Sequence, residues 1–181
     1  MRLRKVYVVL LVLGGLVIAG VGALFVVSLT APRPDNLGVH EGQLAKAPDS
    51  PNCVSTQTPD RSHWIAPLTF AGTPAAAISQ LGSVVSQMPG STIIEQTDDY
   101  LYAEFRSQIF RFVDDVEFFL EPESARMHFR SASRVGYSDL GTNRSRMEQI
   151  RVLFEDVQQT RPASGTVELE QSETEAPVSI Q

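Results

Sequence analysis

From Val6 to Leu29 the chain reads VYVVLLVLGGLVIAGVGALFVVSL, 24 residues without a charge. Wound as a helix at about 1.5 Å per residue, such a run crosses a hydrocarbon core of about 30 Å. Lipid offers the backbone no hydrogen-bond partners, so a lone span of this kind has to be helical. Arg2, Arg4 and Lys5 precede it, whereas Arg33 and Asp35 follow it. The positive-inside bias then makes residues 1–5 a cytoplasmic basic flank and residues 6–29 a signal anchor. Everything after the anchor falls on the periplasmic or extracellular side of the cell's inner or cytoplasmic membrane. A cleaved signal peptide is the rival reading. Its apolar region usually runs about 7 to 15 residues and ends at a small-x-small site, of which Ser28-Leu29-Thr30 is a poor version. The membrane is therefore the first expected partner, through residues 6–29.

The rest of the 181-residue chain leaves room for one core. Residues 30–47 contain prolines, glycines and no sustained periodicity, which predicts a linker. Residues 48–159 carry the pattern of a soluble domain, and residues 160–181, acidic and without aromatics, read as a disordered tail. The net charge of -6 argues against a nucleic-acid partner. A single cysteine, Cys53, excludes an intrachain disulfide.

Within the domain, Pro48, Pro51 and Pro59 forbid a helix, and a first strand is expected between His63 and Phe70. Thr73-Pro74 suits a helix start, and Ile78, Leu81, Val85 and Met88 recur at helical spacing, predicting a helix over Pro74 to Met88. Four strands follow, at Ser91 to Gln96, Leu101 to Phe110, Phe112 to Leu120 and Ala125 to Ser133, joined as sequential antiparallel hairpins. Alternation puts Leu101, Ala103, Phe105, Ile109, Val116, Phe118, Leu120, Ala125, Met127 and Phe129 on the core side. The other side collects Glu104, Arg106, Asp115, Glu117, Arg126, His128 and Arg130, which reads as a wet face of paired charges. Asn143 to Gln158 is an amphipathic helix, with Thr142 or Asn143 as its cap. The expected class is α+β: an N-terminal transmembrane helix, then strand, helix, four antiparallel strands and helix, with the helices on one face of the sheet.

Catalytic residues are not assigned by any motif. Cys53 as nucleophile with His63 as base, oriented by Asp49 or Asp60, is the enzymatic alternative, because a thiolate needs a neighbour that lowers its pKa. A lone cysteine is more commonly a small buried apolar residue. No metal site is expected: Asp114 and Asp115 are adjacent in a strand and point to opposite faces. No cofactor is expected either. Asp114 falls on the apolar side and needs a partner. Arg130, Arg134, Arg144 and Arg146, with Ser131, Ser133 and Ser138, surround the loop that feeds the last helix, so an anion pocket there, formed by the four arginines and Ser138, is physically reasonable, with Asp114 as a buried partner.

The segments PDSPNCVSTQ, HWIAPL, AEFRSQIFRFVDDVEF and RSASRVGYSDLGTNR, in this order, closely resemble the family known as domain of unknown function 1499. The likeness covers about Pro48 to Val157. It implies membership of a family found in bacteria and plastids for which no activity is established, and it assigns no residue a role. The resulting expectation is a membrane-anchored extracytoplasmic domain, non-enzymatic, that binds a lipid-like or anionic small ligand or a membrane-protein partner.

Overall fold

The computed structural model of the chain describes residues 2–121 and 123–160. The predicted acidic tail lies outside the described residues except for Thr160. Helix α1, Arg2–Thr30, is long and apolar enough to cross a membrane, and its apolar side chains from Val6 to Val27 stay exposed.

The rest is a six-stranded antiparallel sheet with two helices. Strands β1 (Cys53–Ser55) and β2 (Leu68–Thr69) precede helix α2 (Pro74–Ser86). Strands β3 (Ser91–Gln96), β4 (Tyr100–Arg106), β5 (Val113–Glu121) and β6 (Arg126–Ser133) precede helix α3 (Thr142–Thr160). The sheet order is β1-β6-β5-β4-β3, and β2 takes the remaining length of β6's free edge. Both helices lie on the face formed by Leu101, Ala103, Phe105, Val116, Phe118, Leu120, Met127 and Phe129. Ile78, Leu81 and Val85 of α2 meet Met147, Ile150 and Phe154 of α3 there in one core. The class and this core face are those expected from the alternation.

Local chemistry shifts several boundaries. Thr73 caps α2 as predicted, its hydroxyl accepting from the Ala76 amide. The first strand shrinks to Leu68–Thr69, because Asp60 accepts the amide and hydroxyl of Ser62 and its carbonyl takes the amides of His63 and Trp64, folding that stretch into a turn. Strand β4 stops at Arg106, not Phe110. The Ser107 amide bonds the Phe112 carbonyl and the Ser107 hydroxyl accepts the Phe112 amide, closing a turn in which Arg111 has φ +58°. Ile109, expected in the core, is consequently 77% exposed. Ala125, also expected inside, sits at φ +50° in the β5–β6 turn and is exposed. Such side-chain to backbone bonds compete with strand pairing and leave no mark on a period of two. Gly90, φ +78°, is one place where a side chain is excluded: a Cβ there would collide with the Arg106 carbonyl.

The largest departure is the second face of the sheet. The stretch read as a linker lies across it. Leu37, Val39 and Leu44 pack with Tyr100, Tyr102 and Phe119, and Ala47 packs with Cys53 and Ala132. The Gly38 amide donates to Glu117 at 2.7 Å, and the Leu44 amide donates to Gln57 at 2.9 Å. The expected wet face is thus corrected: Glu104, Asp115, Glu117 and Arg130 are all buried. A strap of scattered apolar residues between prolines and glycines has no period, so nothing in its pattern announces a docked layer.

Candidate functional site

Three polar clusters share out the residues that the sequence singles out. The first surrounds Asp114. The register places Asp114 opposite Phe105 on one side and Ser133 on the other, on the helix-bearing face. Arg146, one turn into α3, donates through Nη2 to Asp114 at 2.5 Å and through Nη1 to Asn143 at 2.7 Å and Ser131 at 3.1 Å. Its guanidinium lies 4.7 Å from the Phe105 ring centre, a cation–π arrangement. Asn143 is fully buried and bonds the Asn52 carbonyl and the Ser133 hydroxyl. It does not cap α3; Asp139 does, accepting the amides of Gly141 and Asn143. This polar knot forms the floor of an open cleft of about 510 Å³, lined by Phe105, Arg106, Asp114, Ser145, Arg146 and Gln149, among others.

The second cluster lies on the opposite face, beneath the strap. Arg134 donates through Nε and Nη2 to both carboxylate oxygens of Asp115, at 2.9 and 2.6 Å, and reaches Glu104 at 2.6 Å and the Tyr102 hydroxyl at 3.0 Å. Arg33 and Arg106 complete the shell of Glu104 at 2.9 and 2.7 Å. Burial opposes the charge on Glu104, but the hydrogen bonds from Arg134 and Arg33 and the pull of Arg134 and Arg106 outweigh it and hold the carboxyl at about 2. Glu117 goes the other way. Burial raises its pKa against the hydrogen bonds from Gly38 and Tyr100, and its Arg130 neighbour is 3.5 Å away. Among the described residues the buried Nε of Arg130 has no hydrogen-bond partner.

The third cluster holds the enzymatic candidates. Cys53 and His63 line one recess of about 360 Å³ with Asp139, Arg144 and Ser145. Burial pushes the thiol up to about 11, so it is protonated at neutral pH. Cys53 bonds the Val54 carbonyl, and among the described residues it forms no hydrogen bond to His63. His63 Nδ1 lies 3.5 Å from Asp60. Arg144 donates to the carbonyls of Ser62 and Trp64, both at 3.0 Å, and Ser138 accepts the Leu140 amide, so both organise the loops. Among the described residues no group of three or more His, Cys, Asp or Glu is placed to hold a metal.

The five expected ligand-binding residues therefore do not converge. Arg146 meets Asp114, Arg130 and Arg134 point to the strap face, and Arg144 and Ser138 hold loops. Asn52 was not singled out by its pattern, whereas Ser131 stands among the serines beside the arginines. The signal for Asn143 was its place at the start of α3, which reads equally well as a cap.

The family model described as "Protein of unknown function (DUF1499)" matches residues 43–154, more than half of the chain. The chain belongs to the DUF1499 family. No curated protein and no solved structure matches it. The DUF1499 match takes in the Asp114 and Cys53 clusters and all six strands, and it begins inside the strap, after Arg33.

Proposed function

We propose that this DUF1499 protein is anchored in the cell's inner or cytoplasmic membrane by α1, holds its folded domain on the periplasmic or extracellular side, and binds a small anionic ligand in the cleft beside Asp114 without catalysing a reaction. One observation carries the ligand reading. In a chain of net charge -6, this cleft is lined by two arginines, Arg106 and Arg146, and by one acid, Asp114. The other cleft of similar size, beside the strap, sets Asp35, Glu95 and Asp99 against Arg33. Arg146 is committed to Asp114, Asn143 and Ser131; Arg106 gives Nη2 to Glu104, and among the described residues its other side-chain nitrogens donate no hydrogen bond. Thr142, Ser145 and Gln149 line the same cleft.

Calorimetry on the full chain in detergent, titrated with inorganic phosphate and with citrate, tests this. Binding of either anion, weakened about tenfold by Arg106→Gln for the loss of one charge-assisted contact of about 1.5 kcal/mol, is the expected result. Binding unaffected by Arg106→Gln, or no heat and no thermal shift with either anion, overturns it.

A further inference from the structure

The strand register gives the domain two unlike ends. Arg106 pairs with Val113, and Asp114 pairs with Ser133, so the β4–β5 turn and the β6–α3 loop emerge at the same end of the sheet. Among the described residues beyond α1, the three most exposed large apolar side chains are Leu140, Tyr137 and Ile109, at 96, 78 and 77%. All three lie on that turn and that loop. The turn reads Arg106-Ser-Gln-Ile109-Phe-Arg111, with two cations and no acid. Two acids near this end are engaged, Asp139 with the amides of Gly141 and Asn143 and Asp114 with Arg146. The opposite end carries Asp98, Asp99, Glu121 and Glu123 on its two hairpin turns and is acidic.

The path of the strap relates this polarity to α1. Arg33, three residues after the last residue of α1, is tied to Glu104 and lies 5.3 Å from the Tyr102 ring centre. Glu104 is two residues from the end of β4 that bears the β4–β5 turn. Gly38 then meets Glu117, and Leu37 and Val39 meet Tyr100 and Phe119, progressively farther from that turn. The chain thus comes onto the sheet beside the basic, apolar end and runs away from it. An interfacial contact wants this composition: exposed aliphatic and aromatic side chains for the headgroup boundary, and arginines for anionic lipid.

We infer that the end of the domain bearing Ile109, Tyr137 and Leu140 rests on the surface of the membrane that holds α1, its apolar tips in the headgroup boundary and Arg111 on lipid phosphates. The inference rests on α1 being an anchor. The occupant is the bilayer rather than a second protein, because Arg33 keeps this end within a few residues of the span.

Single cysteines read it out in the full chain reconstituted in mixed phosphatidylcholine and phosphatidylglycerol vesicles. The native Cys53 is buried and protonated, so a fluorescent maleimide at neutral pH labels Gln108→Cys, Leu140→Cys, Asp98→Cys or Leu16→Cys selectively. With nitroxide-bearing lipid as quencher, the Gln108 and Leu140 reporters are expected to be quenched several-fold more than the Asp98 reporter, and the Leu16 reporter most of all. Quenching at Leu16 with no difference between the two ends overturns the inference and leaves the anchor standing. An unquenched Leu16 reporter overturns the anchor, and this inference with it.

Discussion

Asp114 is the residue whose setting alternation foresaw: an acid on the apolar side of a strand must find a partner, and it finds Arg146. Both side chains are about nine-tenths buried, at 11 and 10% exposed. Removing one leaves the other desolvated, so Asp114→Ala is expected to lower stability by about 3 kcal/mol, read as a shift in the urea midpoint. A double change to Ala and Met recovers part of the loss, since an apolar replacement of both partners leaves no stranded charge. A single variant within about 1 kcal/mol of wild type would place the pair among surface ion pairs instead. Glu104 gives a pH dependence. Its folded pKa, about 2, lies below the ordinary value of 4.5, so its contribution is complete above about 4.5 and is lost as pH falls toward 2. Glu117, raised by burial, has the opposite sign, stabilising most at low pH and less as pH rises through its folded pKa. Urea midpoints measured between these limits should fall with acid in the wild type and fall less steeply in Glu104→Gln. Identical slopes would remove Glu104 from the acid transition. Arg134 was also within reach of the same reasoning, because it continues the alternation of Arg126, His128 and Arg130 and so parts from Arg146. Asn143 was not, since its setting depends on Asn52, which lies just before β1 and far away in the chain, meeting it beside Ser131 of β6.

Periodicity identified α2, α3 and β3 to β6 because each turns one apolar face to the helix-bearing core, and such a face leaves a period in the sequence. Elements that bury only a few residues escaped it. Strand β1 is three residues long and lies among prolines that fit extended and turn backbone equally. The strap is irregular, with Gly38 at φ +103° and Glu41 at φ +52°. Its docking converts a one-sided sheet into a three-layer arrangement of helices, sheet and strap, with a charged layer enclosed beneath the strap. A tether would exchange its amide hydrogens rapidly, whereas the Gly38 and Leu44 amides donate to Glu117 and Gln57. Hydrogen exchange followed by mass spectrometry is expected to show residues 37–44 protected well beyond the Thr97–Asp99 turn. Exchange of both segments at the same rate would return residues 31–47 to the status of a linker.

For the molecule as a whole, the anchor reading predicts that the protein isolated from membranes has an intact mass including residues 1–29; a mature protein beginning after Thr30 would make the apolar run a signal peptide. An uncharged run long enough to cross a bilayer, two amphipathic helices and four alternating strands are local patterns, each set by the spacing of apolar residues along a few turns or a single strand. Those the amino-acid order determined by itself, together with the family and the misfit of Asp114. Only the tertiary structure decided which arginine meets which carboxylate, that the charged face is covered, and that Ile109, Tyr137 and Leu140 gather at one end. The physical reason is that pairing across strands and coverage by an aperiodic strap depend on residues up to 80 or so positions apart, as with Gly38 and Glu117. The run from Val6 to Leu29 is long and apolar enough to cross a membrane; the register of β4, β5 and β6 is what brings Ile109, Tyr137 and Leu140 to one end of the domain, the end we propose faces it.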